Sequence, residues 1–256
     1  MKKIYIHIGN FKTASTSLQR FIYINKNLFN RNNIEVLLER NFVKQSTNNM
    51  KLFKHFDKMN KNKIKKYFFK SSKKKDLLIT SEYFSTLSND IKKLEFLKQN
   101  LKKLRFEPII IFYYRYDKNY LYSFYAELLT HRKLIKIDNI FNFINKIKKY
   151  GYYFNIKNKK YFLSQKYFFN NKSITKNWRK VFKHNFHTIE FSKKSGNMVF
   201  IDFLKILKIK NKITFKIPNK SNTTRKIKFW NLKRYFYFIY LKNLQKKIFK
   251  QNDLQI

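Results

Sequence analysis

The sequence predicts an α/β protein, a three-layer α/β/α architecture with a central, mainly parallel sheet of about four to five strands. Three observations lead there. Short runs rich in β-branched and aromatic residues recur at 3–8 (KIYIHI), 76–80 (DLLIT), 108–114 (PIIIFYY) and 187–191 (HTIEF), and the first three are continuously apolar rather than alternating. Segments with helical spacing of apolar residues separate them. Finally, the first three runs end on polar residues, at His7 to Thr13, at Ser81 and Glu82, and at Arg115. In parallel sheets ligands sit beyond the carboxyl ends of the strands, so these residues are expected to converge on one cleft.

The elements follow in order. The run 3–8 stops at Gly9, and residues 13–30 then place Leu18, Phe21, Ile22, Ile24 and Leu28 on one helical face. Residues 42–75 are Lys-rich with scattered Phe and Leu, and read as helix and loop. After the strand at 76–80, a helix is expected over 90–104. The strand at 108–114 opens on Pro108, where the missing N–H does least harm. Asp117 is the expected N-cap of a helix over 118–132. A helix over 173–182 containing Trp178, a strand at 187–191 and a helix over 200–207 complete the core. The expected organisation is one domain over 1–256, with its core at 3–207 and a closing segment at 208–256.

Hydrophobic residues make up 43% of the 256, enough to build a core and to argue against global disorder. The formal net charge of +45 has the look of a nucleic-acid protein. Its excess is spread along the whole chain, however, together with Asn, Ile, Phe and Tyr. Codons for all of these are rich in A and T, so a biased genome produces the composition without selection for a partner. Selection for an anionic partner is the other source, and the two are compatible. No cysteine is present, which excludes disulfides, thiolate metal sites and cysteine nucleophiles. His7 and Gly9 interrupt the basic N-terminus before an apolar run of signal-peptide length, and no apolar stretch approaches the roughly 20 residues of a membrane span. The expected location is cytoplasmic. The aromatic and basic segment 229–249, with Trp230, Tyr235, Phe236, Tyr237, Phe238 and Tyr240, is either a terminal helix packed on the domain or a peripheral contact with the inner membrane face.

The richest constellation runs His7, Gly9, Lys12, Thr13, Ala14, Ser15, Thr16, Gln19. Gly9 permits a tight turn after the strand. The amides that follow point at whatever sits above the helix N-terminus, where the dipole favours an anion. Lys12 adds a full charge, and the hydroxyls of Thr13, Ser15 and Thr16 add donors. The nucleoside-triphosphate loop needs four residues between two glycines and a Gly-Lys-Ser/Thr ending. Here Lys12 follows Gly9 after two residues and the second glycine is missing. A second constellation is Arg115 with Ser123 eight residues on, a guanidinium fork and a hydroxyl suited to a further phosphate. The third is Ser81 and Glu82, where Glu82 is a candidate general base; pairing with one of the many Lys side chains is its other reading. His55 and His131 are rivals that read better as helix-surface residues.

The run H-x-G-x-x-K-T-x-S-T-x-x-Q from His7 to Gln19 resembles the 5′-phosphosulfate loop of sulfotransferases that use 3′-phosphoadenosine 5′-phosphosulfate (PAPS), closest to their single-domain bacterial branch. That family's usual Gly is Ala14 here, and Phe11 replaces a common His or Pro. Its later helix and strand are similar to Trp178 to Phe182 and Thr188 to Phe191. A looser likeness extends to Asn219, Ser221, Asn222, Thr223 and Arg225 as a segment closing over the nucleotide. The resemblance implies a P-loop-like sulfotransferase fold and a nucleotide sulfate donor held by Gly9, Lys12, Thr13, Ala14, Ser15, Thr16 and Gln19. It also implies 3′-phosphate contacts from Arg115 and Ser123, with Lys12, Glu82 and His7 as the catalytic set. In that set Lys12 stabilises the leaving group, Glu82 takes a proton and His7 orients the loop.

A sulfonyl group carries less negative charge than a phosphoryl group, so no metal is expected. The acceptor expected is a hydroxyl, of a carbohydrate or glycolipid. Two other classes remain: a nucleotide kinase, which predicts a Mg²⁺-holding Asp at a strand end, and a basic nucleic-acid-binding protein, which predicts cations gathered on one face. Neither signature is visible, and nucleic acid is not expected as a partner.

Overall fold

The computed structural model describes residues 1–9, 15–39, 48–69, 71, 75–115, 171–191, 198–209 and 215–218. Among them, five strands form one parallel sheet: β1 (Lys2–Gly9), β2 (Ile34–Val36), β3 (Asp76–Thr80), β4 (Phe106–Tyr114) and β5 (Phe186–Glu190). Their order is β2-β3-β1-β4-β5, so β1 lies at the centre with β3 and β4 as neighbours. In register His7 stands between Thr80 and Ile111, and Gly9 beside Tyr113. The expected α/β architecture with a covered parallel sheet is what forms.

Among the described residues seven α-helices accompany the strands: α1 (Ser15–Ile24), α2 (Lys26–Arg31), α3 (Met50–Asp57), α4 (Lys61–Phe68), α5 (Ile91–Lys103), α6 (Asn171–Phe182) and α7 (Met198–Ile206), with 3₁₀ helices at Glu82–Asn89 and Lys183–Asn185. Parallel strands point successive side chains to opposite faces. Ile4, Ile6 and Ile8 therefore meet Leu52 and Phe56 of α3, Ile64 of α4, Leu97 of α5 and Trp178 of α6. On the other face Tyr5, Ile109, Ile111 and Tyr113 meet Phe21 of α1, Phe29 of α2 and Phe203 of α7. These two cores make the three layers.

Several boundaries differ from expectation for local reasons. The single helix expected over 13–30 breaks at Asn25, whose amide donates to the Phe21 carbonyl at 2.9 Å and to the Lys216 carbonyl at 2.8 Å, while Oδ1 accepts from the Lys216 amide at 2.8 Å. Asn25 thus pairs with the segment at 215–218 instead of continuing the helix. Strand β4 begins two residues before Pro108. The proline is tolerated because β5 pairs with β4 only from Ile110 onward, leaving Pro108 a neighbour on one side alone. Three-residue β2 carries no readable pattern. Asp90 caps α5 by accepting from the Lys92 amide at 2.9 Å. The helix expected at 118–132 and the segment 229–249 lie outside the described residues. No helix among the described residues is long and apolar enough to cross a membrane.

Helix ends share one device. Asn33, Met59, Arg105, Lys183 and Lys208 all have φ between 51° and 62°. Each stands just past a helix, where the left-handed conformation usually falls to glycine. At Met59 the pattern is complete: its amide reaches the Phe56 carbonyl at 2.9 Å, and that of Asn60 reaches His55 at 2.9 Å. With only 3 Gly in the chain, residues with a Cβ occupy the position at a steric cost.

Candidate active site

The polar ends of β1, β3 and β4 lie side by side at the carboxyl edge of the sheet. Helix α1 begins there at Ser15, which is buried, and the Ser15 hydroxyl donates to Glu82 Oε2 at 2.7 Å. Two sequence positions 67 residues apart therefore meet at the N-terminus of the helix that follows β1. Glu82 opens the 3₁₀ helix and is half-buried. Its carbonyl accepts from Ser85 Oγ at 2.7 Å, and Thr86 Oγ1 repeats the contact to the Tyr83 carbonyl at 2.7 Å. Such local hydroxyl bonds fix the turn that carries the carboxylate.

His7 sits fully inside the protein. Its Nδ1 shares a hydrogen bond of 2.6 Å with Thr80 Oγ1. Its ring packs edge-on against Tyr113 at 5.3 Å and Phe203 at 6.3 Å. Nε2 finds no hydrogen-bond partner among the described residues. Burial pushes the imidazole from 6.5 down to about 3, so His7 is neutral at physiological pH. In this setting it joins β1 to β3 one residue before the Ser81 and Glu82 step, a step also held by the Ser81 amide donating to the His7 carbonyl at 3.1 Å.

Arg115 directly follows the last residue of β4 and is buried. Its guanidinium lies 6.0 Å from the centre of the Phe191 ring. The Arg115 carbonyl accepts from Asn171 Nδ2 at 3.0 Å, which fastens the start of α6 to the end of β4. Of the remaining expected site residues, Gly9 ends β1, Thr16 is exposed on the first turn of α1, and Gln19 is buried one turn further on. Lys12, Thr13, Ala14 and Ser123 lie outside the described residues. His55 is partly exposed on α3; His131 is outside. Among the described residues no three His, Asp or Glu side chains come together as a metal-binding group.

Residues not expected from the sequence also reach this edge. Asn49 is fully buried and bonds both the amide and the carbonyl of Thr80, at 2.7 and 2.8 Å. Tyr67 and Glu39 stand behind it. Their segment is Lys-rich with no clear period, so only the sheet order reveals them.

The arrangement can seat an anion at the α1 N-terminus, present a carboxylate beside it, and offer a guanidinium two strands away from that carboxylate. No family model and no curated protein matches the chain. Among solved structures it is similar to the crystal structure of a sulfotransferase from Alicyclobacillus acidocaldarius, with a TM-score of 0.51, 11% identity and 86% of each chain covered. The likeness at that identity is one of fold: the chain has the α/β fold of that sulfotransferase.

Proposed function

We propose that the chain is a sulfotransferase that moves the sulfonate of PAPS to a hydroxyl acceptor, of a carbohydrate or glycolipid. The observation that carries this reading is the 2.7 Å bond between Ser15 and Glu82. It joins a helix N-terminus suited to an anion to a carboxylate suited to a proton. The motif at His7 to Gln19, the position of Arg115 and the fold likeness support the same reading.

In this mechanism Gly9, Lys12, Thr13, Ala14, Ser15, Thr16 and Gln19 hold the 5′-phosphosulfate. Arg115 and Ser123 hold the 3′-phosphate. Glu82 accepts the proton of the acceptor hydroxyl as its oxygen forms a bond to sulfur. The bond from sulfur to the bridging phosphate oxygen breaks in line, and adenosine 3′,5′-bisphosphate departs with the electron pair. Lys12 and the α1 amides stabilise the charge arriving on that oxygen, a contribution that grows in the transition state. Neutral, buried His7 acts on the frame rather than on the proton.

A nucleotide screen tests the donor. At a hundred times its Kd, adenosine 3′,5′-bisphosphate should stabilise the protein by about 2.7 kcal/mol, read as a rise in melting temperature. ATP and GTP should give less. A larger shift with ATP than with the bisphosphate would turn the reading toward a kinase.

A further inference from the structure

Strand β2 follows β3 in register from Ile34 to Val36, and the Leu37 amide still reaches the Leu78 carbonyl at 3.0 Å. One residue later a continued parallel ladder would bring the Thr80 amide to the Leu37 carbonyl. Instead the carboxamide of Asn49 stands between them. The Thr80 amide donates to Asn49 Oδ1 at 2.7 Å, and Asn49 Nδ2 donates to the Leu37 carbonyl at 2.9 Å. Asn49's own amide donates to the Thr80 carbonyl at 2.8 Å. One buried side chain thus replaces a strand along the last residue of β3.

The replacement is itself braced. Asn49 Nδ2 also donates to the Tyr67 hydroxyl at 2.9 Å, and that hydroxyl donates to Glu39 Oε1 at 3.1 Å. The Glu39 carboxylate accepts the amides of Lys51 and Leu52 at 3.0 and 3.1 Å, at the N-terminus of α3. Every polar atom of the Asn49 side chain is engaged. Its opposite flank, Thr80 Oγ1, is bonded to His7. Thr80 is therefore gripped from both sides, two residues before Glu82.

We propose that Asn49 is a positioning residue for Glu82: its carboxamide, wedged between β2 and β3, fixes the end of β3 and hence the carboxylate against Ser15. The catalytic consequence rests on the function proposed above; the grip on Thr80 does not. Asn49→Ala removes both side-chain bonds to the strands. Tyr67→Phe removes the brace and leaves the Thr80 bonds, so it serves as a control of similar location.

With Asn49→Ala, kcat should fall by about a hundredfold while KM for the donor stays nearly constant, as misplacement of a reacting group by ~1 Å predicts. The acidic limb of the pH–rate profile should move as well. Tyr67→Phe should lower the melting temperature and leave kcat and the profile close to wild type. Should the alanine variant not fold, Asn49→Asp keeps the size and the oxygen under the Thr80 amide, loses the donor to Leu37, and should fall between the two. Hydrogen exchange at the amides of residues 80–82 gives a readout free of the reaction. It should quicken in Asn49→Ala, less in Asn49→Asp, and not in Tyr67→Phe. Equal kcat in wild type and Asn49→Ala, or equal losses in both variants, overturns the positioning role. If the wild type binds no bisphosphate and transfers no sulfonate, the function fails, and exchange at 80–82 still decides the grip: unchanged exchange sinks it.

Discussion

The two faces of the sheet are made from alternate residues of the same strands, yet they change differently along the strand direction. On the face toward α3 to α6, Ile4, Ile6 and Ile8 succeed one another, as do Leu77 and Ile79, and Ile110 and Phe112. Trp178 stacks there on Phe182 at 5.1 Å and on Phe186 at 6.4 Å. On the face toward α1, α2 and α7 polarity rises toward the carboxyl edge: Tyr5 gives way to His7, Leu78 to Thr80, and Ile111 to Tyr113 and Arg115. The Tyr113 hydroxyl is satisfied by the Val199 carbonyl at 2.7 Å, and burial raises it well above the usual tyrosine range. One face holds the sheet in place; the other carries polar groups to its rim. Two residues of chain, a single repeat of the strand, separate the core residue Tyr5 from His7.

This division predicts separable effects. The largest belongs to the apolar face: Trp178→Ala should destabilise the protein by about 3–5 kcal/mol in denaturant titrations, since a fully buried aromatic leaves a cavity that cannot collapse completely. Nucleotide binding by the folded fraction should survive. Arg115→Ala, on the polar face, should do the converse and weaken adenosine 3′,5′-bisphosphate binding by about 1.5–3 kcal/mol, the range for a lost charged hydrogen bond. Unchanged affinity by calorimetry would remove Arg115 from the donor site.

The third effect distinguishes the faces by pH. The folded-state value of His7 lies below its unfolded one, at about 3 against 6.5, so the unfolded chain binds the extra proton between them. Stability from this residue is complete above pH 6.5 and is lost as pH falls, by about 1.4 kcal/mol for each unit down to pH 3. His7→Gln should flatten that slope relative to wild type, whereas Trp178→Ala should leave it. Identical slopes in His7→Gln and wild type would mean that His7 is not buried and neutral. The smallest effect lies outside both faces. Met59→Gly at the end of α3 should raise stability by about 1 kcal/mol, because glycine adopts a φ of 51° without a Cβ clash.

Much of the fold was legible because parallel strands buried on both faces must be continuously apolar. The apolar runs 3–8, 76–80 and 108–114 all lie on strands, and the more polar run 187–191 does so up to Glu190, where β5 ends. The carboxyl-end rule brought Glu82 to the rim beyond β1, but the bond it makes to Ser15 was not foreseen. Other features had no local signal. Strand β2 is three residues long and its burial is partial. Helix stops at Met59, Arg105, Lys183 and Lys208 lack the glycine that would mark them. Asn49 looks like any other Asn in an Asn-rich stretch, and what sets it apart is Thr80, 31 residues away.

By itself the sequence determined four of the five described strands, the apolar face of the helix that follows β1, and that polar side chains gather where strands end. Those are consequences of periodicity and of backbone hydrogen bonding, and both are local. Tertiary structure decided the order β2-β3-β1-β4-β5, and with it every contact across strands. Only that order places Glu82 over Ser15, buries His7 against Thr80 so that it stays neutral, and sets Asn49 into the gap where β2 leaves β3. Such contacts join residues that are dozens of positions apart, and no local pattern records which of many similar partners the packing selects.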